Sequence, residues 1–199
     1  MLKDRLSTLQ TKDACRDSFM EYVRYIWDGF IEGEHHRLIA DKLTEVAQGK
    51  CKRLIVNMPP RHTKSEFASV YFPSWIMGLK PDMKIMQTTH TADLSIRFGR
   101  KVRNLMDTQE YKRMFDNVSL AADSKSAGRW ETSQGGEYFA AGVGGAITGR
   151  GADLLIIDDP HSEQDALSLT AMEGAYEWYT SGPRQRLQPG GAIVIVMTR

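Results

Sequence analysis

Cysteine is scarce in this chain, and the two cysteines are placed where two common uses are excluded. Cys15 and Cys51 lie far apart in the sequence and are flanked by charged residues. Their spacing matches neither the paired ligands of a structural zinc site nor the framework of a small disulfide-stabilised protein. We therefore expect two free thiols and a protein of the reducing cytosol.

The sequence also lacks long apolar runs and an excess of either charge. No apolar stretch reaches the roughly 18 residues that a membrane-spanning helix needs, and the N-terminus has no signal-peptide core. We therefore expect a soluble, intracellular protein that has no membrane partner. The net charge of +1 gives no overall basic field, so binding to nucleic acid could depend only on local patches.

The length of 199 residues and the hydrophobic content of 41% suit a single domain with a proper core. The chain stops at Arg199, directly after the apolar segment 192–197. Natural domains rarely end at the last residue of a central strand. We therefore expect this chain to be one domain of a longer protein.

Residues 53–66 form the most informative segment, which predicts a buried strand, a tight loop, and then Lys64-Ser65 at the start of a helix. This order is typical of a P-loop, in which backbone N–H groups face the phosphates of a nucleotide. The lysine reaches the β- and γ-phosphates, and the serine hydroxyl can bind Mg²⁺. Both glycines of the standard G-x-x-x-x-G-K-[ST] pattern are replaced, by Met58 and Thr63. Taken alone, the Lys64-Ser65 pair is therefore also compatible with a solvent-exposed helix face.

Residues 153–159 form a second informative segment, an apolar run that ends in Asp158 and Asp159. An apolar run without polar alternation is typical of a central parallel strand, and open α/β sheets bind ligands at the carboxyl ends of such strands. One carboxylate could hold Mg²⁺ and the other could polarise an attacking water. The alternative is that Asp158-Asp159-Pro160 simply starts a turn. A lysine–serine loop followed roughly 90 residues later by such a strand predicts a nucleotide hydrolase.

Helical and strand patterns alternate along the chain, which favours a mainly parallel, three-layer α/β sheet. The predicted helices are 13–27, 35–47, 64–77, 92–106 and 169–179. The predicted strands are 53–57, 84–89, 153–158 and 192–197, with a hairpin at 128–141 and a turn at 189–191.

Three segments together resemble the ATPase domain of the tailed-bacteriophage terminase large subunit: 58–65 (MPPRHTKS), 145–160 (GAITGRGADLLIIDDP) and 195–199 (IVMTR). The resemblance extends over roughly residues 19–199. It implies an α/β P-loop NTPase fold of the ASCE type, with a mainly parallel central sheet flanked by helices in three layers. It further implies a helical lead-in over residues 1–50, packed on an ATPase core over residues 51–199.

The same resemblance implies a function: hydrolysis of ATP, with Mg²⁺ as cofactor, to translocate double-stranded DNA into a procapsid in the host cell cytoplasm. The implied partners are double-stranded DNA, the portal protein, the small terminase subunit and further copies of the chain in a ring, a pentamer by the resemblance. The C-terminal nuclease domain of the family has no counterpart in these residues, so we expect no nuclease activity from them.

The resemblance also assigns roles to individual residues. The nucleotide-binding positions are Pro59, Pro60, Arg61, His62, Thr63, Lys64, Ser65 and Glu66. Thr63 replaces the usual glycine, so it must accept whatever backbone conformation the loop demands. Ser65 and Asp158 are the expected Mg²⁺ ligands. Asp159 is the expected catalytic carboxylate, at a position where many relatives have glutamate, and Glu163 is the alternative base.

Thr198 resembles the family's coupling motif, in which a hydroxyl senses the γ-phosphate, and Arg199 could serve the same site. The alternative for Thr198 is a strand threonine bonded to local backbone. Arg61 and Lys64 would neutralise phosphate charge. Arg150 is flanked by glycines, so we expect it to be exposed, mobile and able to act in the active site of a neighbouring subunit; Arg129 is the alternative arginine.

Contacts with adenine and with DNA are less sharply indicated. Phe30, Ile31 and His36 could contact the base, although Phe30 and Trp27 are equally suited to the core. The basic residues that could bind a DNA backbone, or form a solvated helix face, are Arg97, Arg100, Lys101, Arg103, Lys112 and Arg113. Three functions stay open: a packaging ATPase, a helicase-like or other P-loop ATPase, and an ATP-binding assembly switch with little turnover.

Overall fold

The computed structural model describes residues 2–124, 126–147 and 149–198. The helices are α1 (Leu2–Asp17), α2 (Phe19–Ile26), α3 (Glu34–Ala47), α4 (Lys64–Glu66), α5 (Phe72–Leu79), α6 (Ala92–Met106), α7 (Gln109–Met114) and α8 (Leu169–Ser181). A π-helical segment (Phe67–Tyr71) joins α4 to α5 without a break, and two short 3₁₀ helices (Asp165–Leu167 and Pro183–Arg186) flank α8. The strands are β1 (Arg53–Met58), β2 (Lys84–Thr89), β3 (Arg129–Glu131), β4 (Glu137–Gly142), β5 (Ala152–Asp158) and β6 (Leu187–Thr198).

The strands form one six-stranded sheet in the order β1-β6-β5-β2-β4-β3. Every neighbouring pair is parallel except β3 and β4, which form the predicted antiparallel hairpin. β5 is buried along nearly its whole length, as its continuous apolar sequence predicts. The predicted α/β fold, with a mainly parallel sheet flanked by helices, is confirmed.

The strand order brings the two informative sequence segments together. β1 leads into Lys64-Ser65, β5 ends at Asp158, and β6 lies between these two strands. Because the carboxyl ends of parallel strands meet at one edge of a sheet, the loop after β1 and the ends of β5 and β6 are neighbours. We refer to this edge of the sheet as the carboxyl edge.

One face of the sheet carries the larger core, to which α1, α2, α3, α5, α6 and α7 all contribute buried residues. The fully buried ring of Phe19 in α2 lies at its centre. Its centroid is between 5.4 and 6.4 Å from those of Tyr22, Phe67, Phe72 and Trp75. Phe67 and Phe72 belong to the helical stretch that begins at Lys64. The N-terminal helices therefore pack directly on the helix that carries the lysine–serine pair.

The other face of the sheet has a smaller core, formed by residues such as Met86, Leu155 and Ile193, with Tyr179 of α8 packed against it. The helices therefore bury more apolar residues on one face of the sheet than on the other. The apolar residues of the α8 region that remain exposed are Leu167, Leu169, Met172 and Tyr176.

Three local predictions are wrong. The predicted helix 13–27 is divided at Ser18, whose extended backbone and side-chain hydroxyl cap the N-terminus of α2. β1 lies at the edge of the sheet, so Ile55 is 62% exposed although the strand was predicted to be buried. The predicted turn at 189–191 lies inside β6, where the pairing with β5 shifts in register between Leu187 and Ala192.

Cys15 and Cys51 are both free, as predicted. Cys15 is buried, and its burial raises the pKa of the thiol to about 11, which makes it unreactive at neutral pH. Among the helices in the described ranges, none combines the length and the apolar character that a bilayer-spanning segment requires.

We predict that Phe19→Ala lowers the free energy of unfolding by about 3–5 kcal/mol, because it opens a cavity among four aromatic rings. Urea denaturation followed by tryptophan fluorescence measures this change. Leu38→Ala is the matched control, since Leu38 of α3 is 68% exposed and its removal should change stability by no more than about 0.5 kcal/mol. Equal effects of the two substitutions would contradict a shared core between the N-terminal helices and the sheet.

Candidate nucleotide-binding site

The loop between β1 and α4 has an uncommon backbone conformation. Arg61 and Thr63 have φ values of 64° and 59°, and Asp159, at the end of β5, has a φ of 41°. In the described parts of the chain these are the only non-glycine residues with positive φ. Each costs on the order of 1 kcal/mol or more, and such strain concentrates at functional sites. The prediction that Thr63 must accept a demanding backbone conformation is confirmed.

Lys64 extends from the start of α4 to the carboxyl edge. Its Nζ atom donates a hydrogen bond to Thr198 Oγ1 (2.8 Å) and lies 3.5 Å from Asp159 Oδ2. The side chain is only 7% exposed, so its charge depends on these acceptors. The anionic oxygen of a phosphate would be a stronger partner for this ammonium than the neutral hydroxyl of Thr198.

Asp158 is the buried carboxylate of the site, with an exposed fraction of 2%. Ser65 Oγ donates to its Oδ1 atom (3.0 Å), and Ser69 Oγ donates to its Oδ2 atom (2.6 Å). Burial raises the pKa of Asp158 to about 6, against the opposing effect of the two serine hydroxyls. A carboxylate next to a hydroxyl provides the hard oxygen ligands that Mg²⁺ prefers.

Ser69 and Gln87 belong to the same network, and the sequence analysis did not identify them. Gln87 of β2 donates from Nε2 to Ser69 Oγ (3.1 Å), which in turn donates to Asp158. Both side chains are fully buried. Their one sequence signal is a polar residue beside apolar neighbours, since Ser69 lies between Ala68 and Val70 and Gln87 follows Ile85 and Met86. Ser69 lies in the π-helical segment, a rare helical form that is frequent at functional sites.

Asp159 and Thr198 hold each other at the carboxyl edge. The backbone N–H of Thr198 donates to Asp159 Oδ1 (2.6 Å), and its hydroxyl donates to Asp159 Oδ2 (3.0 Å). The backbone of Asp159 is fixed as well, because its N–H donates to Val196 O and its carbonyl accepts from His90 N–H. The side chain of Thr198 is thus bonded to Asp159 and Lys64 rather than to local backbone. Arg199 lies outside the described residues.

The remaining loop candidates differ in their surroundings. Pro59, Pro60, Arg61 and His62 are exposed, and Arg61 makes no hydrogen bond or ion pair with a described residue. Glu66 forms an ion pair with Lys101 of α6. Glu163 is exposed and has no hydrogen-bond or ion-pair partner among the described residues.

Arg150 differs from its prediction. Its side chain is one-quarter exposed, forms an ion pair with Glu137 and lies 4.2 Å from the ring centroid of Phe139. The prediction of an exposed, mobile arginine is therefore wrong, because a carboxylate and an aromatic face hold the guanidinium. Arg129 bonds to the same Glu137 carboxylate, at 3.1 Å. Glu137 begins β4 and Arg150 lies two residues before β5. Both arginines therefore lie at the edge of the sheet opposite the carboxyl edge, away from Lys64.

The residues predicted to contact adenine or DNA do not share one environment. Ile31 is 86% exposed, whereas His36 is buried and its Nε2 atom lies 2.6 Å from Thr63 Oγ1. Trp27 stacks on Tyr71 at 4.7 Å and contacts Phe30 at 5.1 Å, which is the behaviour of core residues. Within the basic cluster, Lys101 and Lys112 are in ion pairs, and Arg97, Arg100 and Arg113 are exposed.

These residues fit a nucleotide triphosphate with Mg²⁺. The described part of the chain contains no group of three or more histidine, cysteine, aspartate or glutamate side chains that could hold a metal. Mg²⁺ in nucleotide sites commonly uses one or two protein oxygens and completes its shell with phosphate and water. Ser65 and Asp158 could supply those two oxygens, and Lys64 could bind the phosphates at the start of the helix.

We predict that Asp158→Asn raises the free energy of unfolding by about 2 kcal/mol at neutral pH, measured without nucleotide. The pKa of Asp158 in the folded protein, about 6, lies above the ordinary value of 3.8. Between these values the folded protein binds more protons than the unfolded chain, so the carboxylate destabilises the fold increasingly as pH rises. Chemical denaturation at a series of pH values measures the gain.

The gain from Asp158→Asn should grow from about pH 4 to about pH 6 and then stay constant. Asp41→Asn, at an exposed position of α3, is the control and should show no such trend. A gain that is the same at every pH would mean that the charge of Asp158 is not its cause.

The chain matches no known protein-family model and no curated protein. Its structure is similar to the crystal structure of the HK97 bacteriophage large terminase, with a TM-score of 0.51 and 10% sequence identity. The similarity covers 84% of this chain and 33% of the other, so the chain spans about a third of that protein's length. At this level of identity the likeness shows that the chain has a terminase-like fold.

Proposed function

We propose that this chain is the ATPase motor domain of a viral DNA-packaging terminase, which hydrolyses ATP to translocate double-stranded DNA into a procapsid. The observation that carries the proposal is the convergence of Lys64, Ser65, Asp158, Asp159 and Thr198 at the carboxyl edge, in two adjacent networks with distances of 2.6 to 3.5 Å. These are the residue types that phosphoryl transfer to water requires. The terminase-like fold supports the more specific assignment to DNA packaging.

Binding of the triphosphate would depend on the loop between β1 and α4. Its backbone and the N-terminus of the following helix would present N–H groups to the phosphates. Lys64 would exchange its bond to Thr198 for a γ-phosphate oxygen, and Arg61, which has no competing partner in the described structure, would add a second positive charge. Ser65 and Asp158 would hold Mg²⁺, which neutralises the charge on the β- and γ-phosphate oxygens.

Asp159 would orient the attacking water, and Thr198 would couple the reaction to movement. Lys64, Thr198 and Asp159 are linked in series, so drawing Lys64 toward a γ-phosphate would weaken the hold of Thr198 on the Asp159 carboxylate. Loss of the γ-phosphate after hydrolysis would restore the bond from Lys64 to Thr198 and strengthen the bond from Thr198 to Asp159. The end of β6 would in this way change its bonding once per turnover, which is a route from phosphate state to backbone movement.

The partners proposed for this function are double-stranded DNA, the portal protein, the small terminase subunit and further copies of the chain in a ring. Arg97 and Arg100 support the first of these, because both are exposed on one helix and neither has an ion-pair partner in the described structure. Such side chains could contact DNA phosphates.

An ATP-binding assembly switch with little turnover is the second candidate. The bonding of Asp159 favours it, since both carboxylate oxygens accept from Thr198 and a base so engaged polarises water less well. Measured hydrolysis separates the two functions. A switch would bind ATP without releasing phosphate, whereas a motor would release phosphate and move DNA.

We predict that Lys64→Ala lowers the rate of phosphate release from ATP by at least about 100-fold, because it removes the buried charge nearest the transferred group. The measurement is steady-state hydrolysis with Mg²⁺, together with circular dichroism to verify the fold. Lys42→Ala is the control, since the Lys42 side chain is 55% exposed and pairs with Glu45 of the same helix. Undiminished hydrolysis by Lys64→Ala would refute the assignment of the site.

We predict that turnover per subunit rises with protein concentration and that Arg150→Ala abolishes this rise. An arginine that acts on a neighbouring subunit's phosphates is worth about 10³-fold in rate. Glu137→Gln is the matched control, because it breaks the ion pair but leaves both guanidinium groups in place. Equal losses in the two variants would mean that Arg150 acts only through its packing with Glu137 and Phe139.

A further inference from the structure

Thr63 stands immediately before Lys64, with φ 59° and ψ 11°. This left-handed conformation is readily adopted by glycine and is disfavoured for a β-branched residue. Among the described residues, no glycine occupies the loop between β1 and α4. The loop therefore needs an interaction that holds Thr63 in place, and the structure contains one.

A series of three hydrogen bonds passes through the side chain of Thr63. The backbone N–H of Gly33 donates to Nδ1 of His36 (2.9 Å). Because Nδ1 accepts this bond, the neutral ring carries its proton on Nε2. Nε2–H can then donate to Thr63 Oγ1 (2.6 Å), and the hydroxyl proton of Thr63 is directed to His62 O (2.7 Å). In these three hydrogen bonds every donor has one acceptor, and no donor is used twice.

The His36 ring is itself held firmly. It is 5% exposed and stacks on Phe67 with a centroid distance of 4.9 Å and an interplanar angle of 22°. Phe67 N–H donates to Thr63 O (3.0 Å), so the ring rests on the same helical turn that Thr63 begins. The ring also makes an edge contact with Phe30, at a centroid distance of 4.9 Å.

The charge state of His36 agrees with this bonding. The groups that face it are Glu32, His35 and His62, and burial is the largest influence, which lowers the pKa of His36 below its ordinary value. The ring is therefore neutral at physiological pH. Only the neutral ring can accept from Gly33 and donate to Thr63 at the same time.

We propose that His36 is a positioning residue that fixes Thr63 in the left-handed conformation, so that the phosphate-binding loop is preorganised without its usual glycine. The inference rests on the proposed function of this loop, and it adds a specific dependence between a residue of α3 and a residue of the loop. His36 touches no phosphate in this role. It acts through Thr63 on the direction in which the loop presents its N–H groups and Lys64.

The test is a double-mutant cycle in which the affinity for a fluorescent ATP analogue is measured with Mg²⁺. His36→Phe keeps an aromatic ring against Phe30 and Phe67 but removes both nitrogen atoms. With Thr63 present it should weaken binding about tenfold, the equivalent of one hydrogen bond. With Thr63→Gly, the same substitution should change binding less than about twofold, because glycine needs no support in this conformation. Equal losses in the two backgrounds would overturn the proposal.

His36→Gln is a control that separates the loss of the hydrogen bond from a general packing defect. The side-chain amide of glutamine can place an N–H near the position of Nε2, so this variant should recover at least half of the affinity lost in His36→Phe, on a logarithmic scale. Recovery would support a hydrogen bond to Thr63 as the cause. A loss as large as that of His36→Phe would count against it.

A measurement without nucleotide separates failure of this inference from failure of the proposed function. Nitrogen-15 NMR of the histidine rings should show His36 as the neutral tautomer protonated at Nε2, and Thr63→Val should shift its Nε2 resonance. Thermal melting should show His36→Phe lowering the midpoint by about 3 °C more with Thr63 than with Gly at position 63. If ATP does not bind but both results hold, the role of His36 in positioning Thr63 is supported and the nucleotide assignment is refuted. A ring protonated at Nδ1 would refute the positioning role itself.

Discussion

The burial of the Asp158 carboxylate is the constraint on which the candidate site depends. An ionised group with almost no access to water must have hydrogen-bond donors on both oxygens. Ser65 and Ser69 provide them, and Gln87 fixes the second serine. The start of the helix after the loop, its π-helical segment and the neighbouring strand β2 are thereby fixed relative to the end of β5. The raised pKa of Asp158 reflects the free energy that is lost when a carboxylate is buried at a place where it could bind a divalent cation.

Strain and hydrogen bonding offset each other around this carboxylate. The three described non-glycine residues with positive φ lie in the loop and at the end of β5, and two of them are held by specific partners. Asp159 is bonded through its backbone to β6 and to His90, and Thr63 is bonded to His36. The stability of the site is therefore distributed among elements that are distant in sequence. This arrangement suits a site whose bonding changes when phosphate binds and leaves.

Much of the fold and part of the site could be predicted from the sequence. The segments ending at Asp158 and beginning at Lys64 were predicted because each combines a local apolar pattern with a charged residue at its end. The position of β6 between them depends on strand order, which local patterns do not specify. Ser69 and Gln87 were missed because their partners are tertiary. Arg150 was misjudged for the same reason: flanking glycines suggest exposure, but Glu137 and Phe139 come from another strand.

The π-helical segment has a consequence for how this chain can change in length. A π turn accommodates one residue more than the α-helical turn it replaces. Deletion of one residue between Phe67 and Tyr71 would restore an α-helical turn, and the residues on its two sides would nearly keep their relative orientation, because the π turn holds the extra residue locally. Lys64 would stay at the carboxyl edge and Phe72 and Trp75 would stay in the core, whereas the residues within the turn, Ser69 among them, would shift relative to Asp158. The helix itself can therefore lose one residue here, but the hydrogen bond from Ser69 to Asp158 depends on the extra residue being present.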